Sequence, residues 1–277
     1  AVAMMLALID SPELPRPAVE ALITVDEETG LFGAAGVDMT PMKGTRLINM
    51  DSEEEGIFTV SCAGGCMSKC AMPVSREECG WDQMTITVGG LAGGHSGMEI
   101  HTGKGNAAML LGRVLAAAAK ETELRVVSVC GGLKDNAIPR SCEVTLVPLG
   151  MYIERINDIA EQLQAEIREK YEEPEVTIQA FDVDALGGNA LTTESTAKVI
   201  GLLCAAPNGV QSYSPDMPGL VQTSLNLGIA KLGDRFSAVF SVRSSVNAEK
   251  VELLEQLKKL AKLHDGGYSE MGDYPAG

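Results

Sequence analysis

The sequence predicts an α/β unit at the start of the chain, followed by a larger α+β domain built from ferredoxin-like units. The first prediction rests on short apolar runs at 21–25 and 46–50, each followed by an acidic cluster. This pattern is typical of buried strands in an α/β sheet, whose carboxyl ends bind ligands. The second prediction rests on the order β-α-β-β-α-β from Met84 onward, which is the order of a split βαβ unit.

The first part of the chain is predicted to contain one helix and three strands. Residues 1–9 form an apolar run that predicts a buried helix, ended by Asp10-Ser11-Pro12. Scattered charges and Pro73 follow Gly64-Gly65, so we expect a domain crossing within 66–82. The three strands are expected at 21–25, 46–50 and 57–61.

The second part of the chain has regular periodicity. Alternating or apolar runs predict strands, and an apolar repeat of helical spacing predicts helices. The first set is a strand at 84–88, a helix at 105–120, strands at 124–129 and 142–147, a helix at 151–171 and a strand at 175–180. A partial repeat follows, with a helix at 194–204, strands at 220–227 and 236–243 and a helix at 248–262. The helices at 105–120 and 151–171 are expected to cover one face of a mostly antiparallel sheet.

The composition argues against several classes of partner. The chain has 277 residues and a formal net charge of −16, which disfavours nucleic acid or an anionic membrane surface as a partner. Its longest apolar stretches are too short to span a bilayer. Seven cysteines without paired spacing indicate reduced thiols, and a cytoplasmic location is therefore expected.

Three acidic residues follow the two predicted strands of the first part. Glu27 and Glu28 come after the run at 21–25, and Asp51 comes after the run at 46–50. Carboxylates at neighbouring strand ends can supply hard oxygen ligands and a base in one crevice, as a hydrolytic metal site requires. The alternative is that both clusters are solvated turns.

Further motifs follow the acidic clusters in a fixed order. These are Gly89-Gly-Leu-Ala-Gly-Gly-His-Ser-Gly97, Glu99-Ile-His101, Gly103-Lys-Gly-Asn-Ala107 and Asn136-Ala-Ile-Pro-Arg140. In order and spacing they resemble the aminoacyl-histidine dipeptidases, also called cytosolic non-specific dipeptidases. These enzymes belong to a superfamily of two-zinc exopeptidases that includes aminoacylases and carnosinases. The resemblance extends over essentially the whole chain.

The resemblance implies a division of the chain into a catalytic domain and an inserted lid. Residues 1–66 would form part of an α/β catalytic domain of the co-catalytic zinc exopeptidase type. Residues 67–268 would form an α+β lid with two ferredoxin-like halves, about 84–180 and 190–265. Residues 269–277 would begin the return to the catalytic domain.

The resemblance also implies roles for the acidic residues. The family binds two zinc ions, and manganese or cobalt are alternatives. By position, Glu27 resembles the general base, Glu28 the ligand of one zinc and Asp51 the ligand of the other.

Four residues of the lid resemble substrate-binding positions. His95 would contact the scissile carbonyl of a small peptide substrate, and Arg243 would hold the substrate's C-terminal carboxylate. Asn136 and Arg140 would line the same cleft. Without the resemblance, a lone loop histidine satisfied by a neighbour is the simpler interpretation of His95.

The remaining metal ligands of the family have no counterpart in these residues. We therefore expect an internal fragment that by itself binds zinc weakly and does not hydrolyse dipeptides. One alternative is a related amidohydrolase, such as a deacylase or tripeptidase. Another is a non-catalytic lid or oligomerisation module. A homodimer is a further candidate assembly.

Overall fold

The computed structural model describes residues 1–27, 31–51, 55–57, 59–79, 82–150, 153–183 and 188–277. The chain divides into two compact units, Ala1–Cys62 and Ala63–Gly277. Within the described part of the chain, no helix is both long enough and apolar enough to cross a membrane.

The first unit contains two short helices, α1 (Val2–Ile9) and α2 (Phe32–Gly36). The helix expected at 1–9 is therefore present, but none of its residues is buried. The strands expected at 21–25, 46–50 and 57–61 are absent from the described residues. An apolar run becomes a strand when a neighbouring strand satisfies its backbone groups, and the described residues 1–62 provide no such ladder. Leu47 and Ile48 are correspondingly exposed.

The second unit contains most of the regular structure. Its helices are α3 (Ala107–Ala118), α4 (Ile153–Tyr171), α5 (Thr193–Ala205) and α6 (Asn247–Leu263), with a 3-10 helix at Ile100–Thr102. Its strands are β1 (Gly64–Pro73), β2 (Arg76–Glu78), β3 (Gln83–Gly89), β4 (Gly94–His95), β5 (Glu123–Gly131), β6 (Ala137–Ile138), β7 (Cys142–Leu149), β8 (Thr177–Val183), β9 (Asn189–Leu191), β10 (Gly209–Tyr213), β11 (Val221–Leu232), β12 (Arg235–Ser244) and β13 (Gly267–Tyr274).

The main sheet joins two ferredoxin-like units side by side. Its strand order is β13-β1-β12-β11-β5-β7-β3-β8, and β10 pairs with β11. The strand pairs of the described residues are antiparallel. The half formed by β3, α3, β5, β7, α4 and β8 has the expected β-α-β-β-α-β order. The predicted α+β domain built from ferredoxin-like units is thus confirmed.

The second ferredoxin-like half is completed by β1 and β13, two strands that were not predicted from the sequence. It comprises β1, α5, β11, β12, α6 and β13, and β1 pairs with both β12 and β13. Residues 64–66 are therefore not part of the first unit, and residues 269–274 do not leave this sheet. The inward-facing residues of β1 are Cys66, Ser68, Cys70 and Met72. Their alternation has period two but low hydrophobicity, so it predicts a strand only weakly.

Asn106 connects the two halves. It precedes α3, and its Oδ1 accepts hydrogen bonds from Ala108 N at 3.1 Å and Met109 N at 3.3 Å, which caps the helix. Because Oδ1 is occupied as an acceptor, Nδ2 donates: to Asn226 Oδ1 at 3.1 Å and to Leu227 O at 2.9 Å, both on β11. Asn106 is 4% exposed and Asn226 is 1% exposed. One buried amide therefore ties a helix of the first half to a strand of the second.

We expect Asn106→Ala to destabilise the chain more than the loss of an ordinary helix cap does. The substitution removes the cap and also leaves buried acceptors on β11 without a donor, for a loss of about 2–4 kcal/mol in the free energy of unfolding. Urea denaturation followed by circular dichroism measures it. The control is Thr192→Ala, which removes the cap of α5 and should cost about 1 kcal/mol. Equal losses for the two variants would contradict the bridging role of Asn106.

Candidate active site

The glycine-rich segment is bound to the Asn-Ala-Ile-Pro-Arg segment by a short antiparallel pair. β4 pairs with β6 through Gly94↔Ile138 and His95↔Ala137. The pair continues at Ser96 N, which donates to Asn136 O at 2.9 Å. Two of the sequence motifs therefore meet, and their contact fixes the backbone on either side of His95.

The imidazole of His95 is held by the backbone that follows it. Its Nδ1 accepts hydrogen bonds from Gly97 N at 3.2 Å and from Met98 N at 3.1 Å. A ring nitrogen that accepts two N–H groups carries no proton, so the proton of the neutral imidazole lies on Nε2. His95 is thereby arranged as a hydrogen-bond donor through Nε2.

The surroundings of His95 favour its neutral form. Burial lowers the pKa of His95 below its ordinary value, and the positive charge of Arg243 lowers this pKa further, whereas Glu99 raises it. Since the ordinary value is 6.5, the imidazole is neutral at pH 7 and keeps its proton on Nε2.

Arg243 lies across Gly97 from His95. It stands on β12, where Gly65 of β1 and Ser224 of β11 are its neighbours in the sheet. A Cβ atom added at Gly97 would lie 3.0 Å from Arg243 Cζ and 3.1 Å from His95 Cε1. Arg243 Nε is buried and has no hydrogen-bond partner among the described residues. The first half of the sheet domain thus supplies the histidine, the second half supplies the arginine, and a residue without a side chain separates them.

Arg140 and Asn136 lie beside the same loop. A Cβ atom at Gly93 would lie 2.4 Å from Arg140 Cγ, so the stem of this exposed arginine packs directly on the glycine. Gly93 also has a φ of +62°, which favours glycine. Asn136 contributes its main-chain carbonyl to Ser96. His95, Asn136, Arg140 and Arg243 therefore gather around residues 93–97.

The acidic half of the predicted site lies in the first unit. Glu27 and Asp51 are exposed there, and Asp51 N donates to Asn49 Oδ1 at 3.0 Å. Glu28 lies outside the described residues. Among the residues that are described, no group of three or more His, Cys, Asp and Glu side chains can hold a metal ion. The convergence of Glu27, Glu28 and Asp51 on one cavity thus remains a prediction.

Two charged residues that support the His95 loop were not predicted from the sequence. Glu99 Oε2 accepts from His95 N at 2.8 Å, and Lys104 Nζ lies 2.6 Å from Glu99 Oε1. Asn106 was not predicted as the helix cap either, because the helix was expected to begin at 105, whereas it begins at Ala107. The signal for Asn106 was available, since an asparagine directly before an Ala/Leu-rich run is a typical cap. Glu99 had no comparable signal beyond its place in a motif.

The sequence and the fold are similar to those of two dipeptidases. Residues 86–175 match the family model described as a peptidase dimerisation domain. The chain is 34% identical over 278 residues to the cytosol non-specific dipeptidase of Escherichia coli (strain K12), covering 99% of this chain and 57% of that protein. It matches the crystal structure of aminoacylhistidine dipeptidase from Vibrio alginolyticus with a TM-score of 0.84 and 33% identity, again covering 99% of this chain and 57% of that one. The chain thus spans 57% of the length of each relative.

We expect Arg243→Gln to raise the pKa of His95, because it removes the positive charge that opposes protonation of the imidazole. An NMR titration of the histidine Cε1–H signals measures this pKa in the 277-residue chain. His264 is an internal reference, since burial and Lys198 lower its pKa and Arg243 is not among the causes. A His95 pKa that stays the same or falls would refute the assigned electrostatic contact.

Proposed function

This chain belongs to the family of the aminoacyl-histidine and cytosol non-specific dipeptidases, and we propose that the protein hydrolyses unblocked dipeptides, Xaa-His among them. The observation that carries the proposal is the meeting of His95 and Arg243 around Gly97. A neutral hydrogen-bond donor and an arginine on either side of Gly97 suit a short substrate that has an amide carbonyl and a terminal carboxylate.

His95 acts on the scissile carbonyl in this proposal. As water adds to the carbonyl carbon, negative charge develops on the carbonyl oxygen, and a donor placed there stabilises the transition state. Nε2–H is that donor, because Nδ1 is occupied by Gly97 N and Met98 N. His95 does not transfer a proton in this role. His95 needs only to remain neutral and to keep its Nε2–H group directed at the carbonyl oxygen.

Arg243 binds the C-terminal carboxylate of the dipeptide. A guanidinium group pairs with a carboxylate through two parallel N–H···O bonds. Since Nε is buried, the two terminal N–H₂ groups of the guanidinium would make these bonds. Asn136 and Arg140 complete the rim of the same cleft. Fixing the carboxylate at a set distance from His95 limits the substrate to a short peptide.

Glu27, Glu28 and Asp51 supply the hydrolytic half of the proposal. Glu28 and Asp51 would be ligands of two zinc ions, or of manganese or cobalt, and such ions supply positive charge that activates water. Glu27 would take the proton of the attacking water and deliver it to the leaving amine. The remaining metal ligands of the family have no counterpart in residues 1–277, so we expect these residues alone to bind zinc weakly and to lack activity.

The proposed partners follow from charge and from the family model. A net charge of −16 disfavours nucleic acid and anionic membranes. The match of residues 86–175 to a peptidase dimerisation domain supports a homodimer. The Escherichia coli relative is named for the cytosol, and we propose the same compartment here. All seven cysteines are free, which agrees with a reducing compartment. A deacylase, a tripeptidase or a non-catalytic lid module would be distinguished by the two experiments that follow.

We expect Arg243→Gln in the intact protein to raise KM for dipeptides about 10- to 100-fold, since hydrogen bonds to charged groups contribute about 1.5–3 kcal/mol. Steady-state kinetics measures it. The KM for the matching dipeptide amides, which have no terminal carboxylate, should change little. Arg235→Gln, at the other end of β12, is the control variant. An equal loss for dipeptides and their amides would remove the carboxylate assignment.

We expect Glu27→Gln and Glu28→Gln to fail in different ways. Loss of the base at Glu27 should reduce turnover at least about 10²-fold with zinc retained. Loss of a ligand at Glu28 should reduce the zinc content itself. Metal analysis beside kinetics on the intact protein separates the two, with Glu13→Gln as an exposed control. Identical behaviour of the two variants would show that these roles are wrongly assigned.

A further inference from the structure

We propose that Glu99 is a positioning residue for His95: its carboxylate closes the turn at residues 95–99 and so holds the imidazole as the Nε2–H tautomer. This inference rests on the proposed function for its catalytic meaning. Its structural part concerns the turn alone.

The turn is closed by two reciprocal hydrogen bonds. His95 N donates to Glu99 Oε2 at 2.8 Å, and Glu99 N donates to His95 O at 2.9 Å. The same two residues are therefore joined through a side chain in one direction and through the main chain in the other. This arrangement has the logic of a helix capping box, in which a glutamate side chain returns to an N–H group earlier in the chain.

Closure of the turn determines where the imidazole points. Gly97 N and Met98 N lie inside the turn, and both donate to His95 Nδ1. The two N–H groups can converge on one nitrogen because Glu99 holds both ends of the segment together. If the turn opens, Nδ1 loses its donors, and the imidazole is free to place its proton on either nitrogen.

The Glu99 carboxylate is itself fixed and ionised. Lys104 Nζ lies 2.6 Å from Oε1, while the other oxygen receives the His95 N–H group. The hydrogen bond from Lys104 is the largest cause that lowers the pKa of Glu99, and the His95 N–H bond is the next. The main-chain carbonyl of Glu99 accepts from Thr102 Oγ1 at 2.6 Å. Both carboxylate oxygens of Glu99 thus have a hydrogen-bond partner.

Gly94 makes room for this contact. A Cβ atom at Gly94 would lie 2.6 Å from Glu99 Oε2 and 2.8 Å from Glu99 Cδ. Any side chain there would push the carboxylate away from the His95 N–H group. The second glycine of Gly93-Gly94-His95 therefore serves the Glu99 contact, whereas the first accommodates Arg140.

The test of the structural part is the tautomer of His95 in the 277-residue chain. Ring ¹⁵N chemical shifts distinguish a protonated nitrogen from an unprotonated one. We expect the native chain to show Nε2 protonated and Nδ1 unprotonated. Glu99→Ala should give a mixture of both tautomers, whereas Glu99→Gln, whose amide oxygen still accepts from His95 N, should keep the native pattern. Glu166→Ala, which removes an ion pair with Arg113 elsewhere in this unit, should also keep it.

The test of the catalytic part uses the intact protein and dipeptide substrates. Glu99→Ala should lower kcat about 10-fold, less than the roughly 10²- to 10³-fold expected for loss of an oxyanion donor, and should leave KM within about twofold. Glu99→Gln should restore kcat to within about threefold, because the positioning bond is kept. Glu166→Ala should match the native enzyme.

Two results would overturn the inference. One is a single Nε2–H tautomer in folded Glu99→Ala. The other is an unchanged kcat in that variant although its tautomers are mixed. If the intact protein cleaves no dipeptide, the proposed function fails, and the ¹⁵N spectra still decide whether Glu99 holds His95.

Discussion

The second unit depends on the hydrogen bonds by which the Asn106 side chain joins its two halves. The ladder between β5 and β11 joins Ala230 to Gly131 and Lys231 to Cys130, which is a short junction for two complete half-sheets. Asn106 reinforces it by capping α3 and donating to β11. Asn226, which receives one of these bonds, in turn donates to Ala137 O at 2.9 Å. Ala137 is the partner of His95 in the β4–β6 pair, so the amide network extends from the junction to the candidate site.

The electrostatics of the site couples substrate binding to the state of His95. Arg243 lowers the pKa of the imidazole and is also the proposed ligand of the substrate carboxylate. When a carboxylate pairs with Arg243, the field of the arginine at His95 is partly cancelled, so the pKa of the imidazole rises towards its ordinary value. The two backbone N–H groups on Nδ1 oppose that change, because protonating Nδ1 would break both bonds. The two hydrogen bonds to Nδ1 therefore favour the neutral form of His95 even when a bound carboxylate cancels the charge of Arg243.

Periodicity predicted the elements that are both local and strongly apolar. The run from β3 to β8 was placed correctly in order because its strands alternate and its helices carry apolar positions at helical spacing. β1 was missed because Cys66 and Ser68 give a weak apolar face. The strands expected at 21–25 and 46–50 were wrong because an apolar run alone does not supply a partner strand. Of the site, His95 and Arg243 came from motif positions, whereas Glu99 and Lys104, although close to His95 along the chain, carried no signal that assigned them a role.

The chain order of the two halves has a consequence for folding. β1 is made first, yet its partners β12 and β13 lie beyond the whole of the half that contains β3 to β8. The inserted half has its own strands in close succession and can form its contacts locally, which is fast. β1 can pair with β12 and β13 only when the long segment between them is closed into a loop, which costs chain entropy. During synthesis, the thiols of Cys66 and Cys70 and the thioether of Met72, all buried in the finished sheet, are therefore open to oxidation, and a reducing environment would protect the nascent chain more than the folded one.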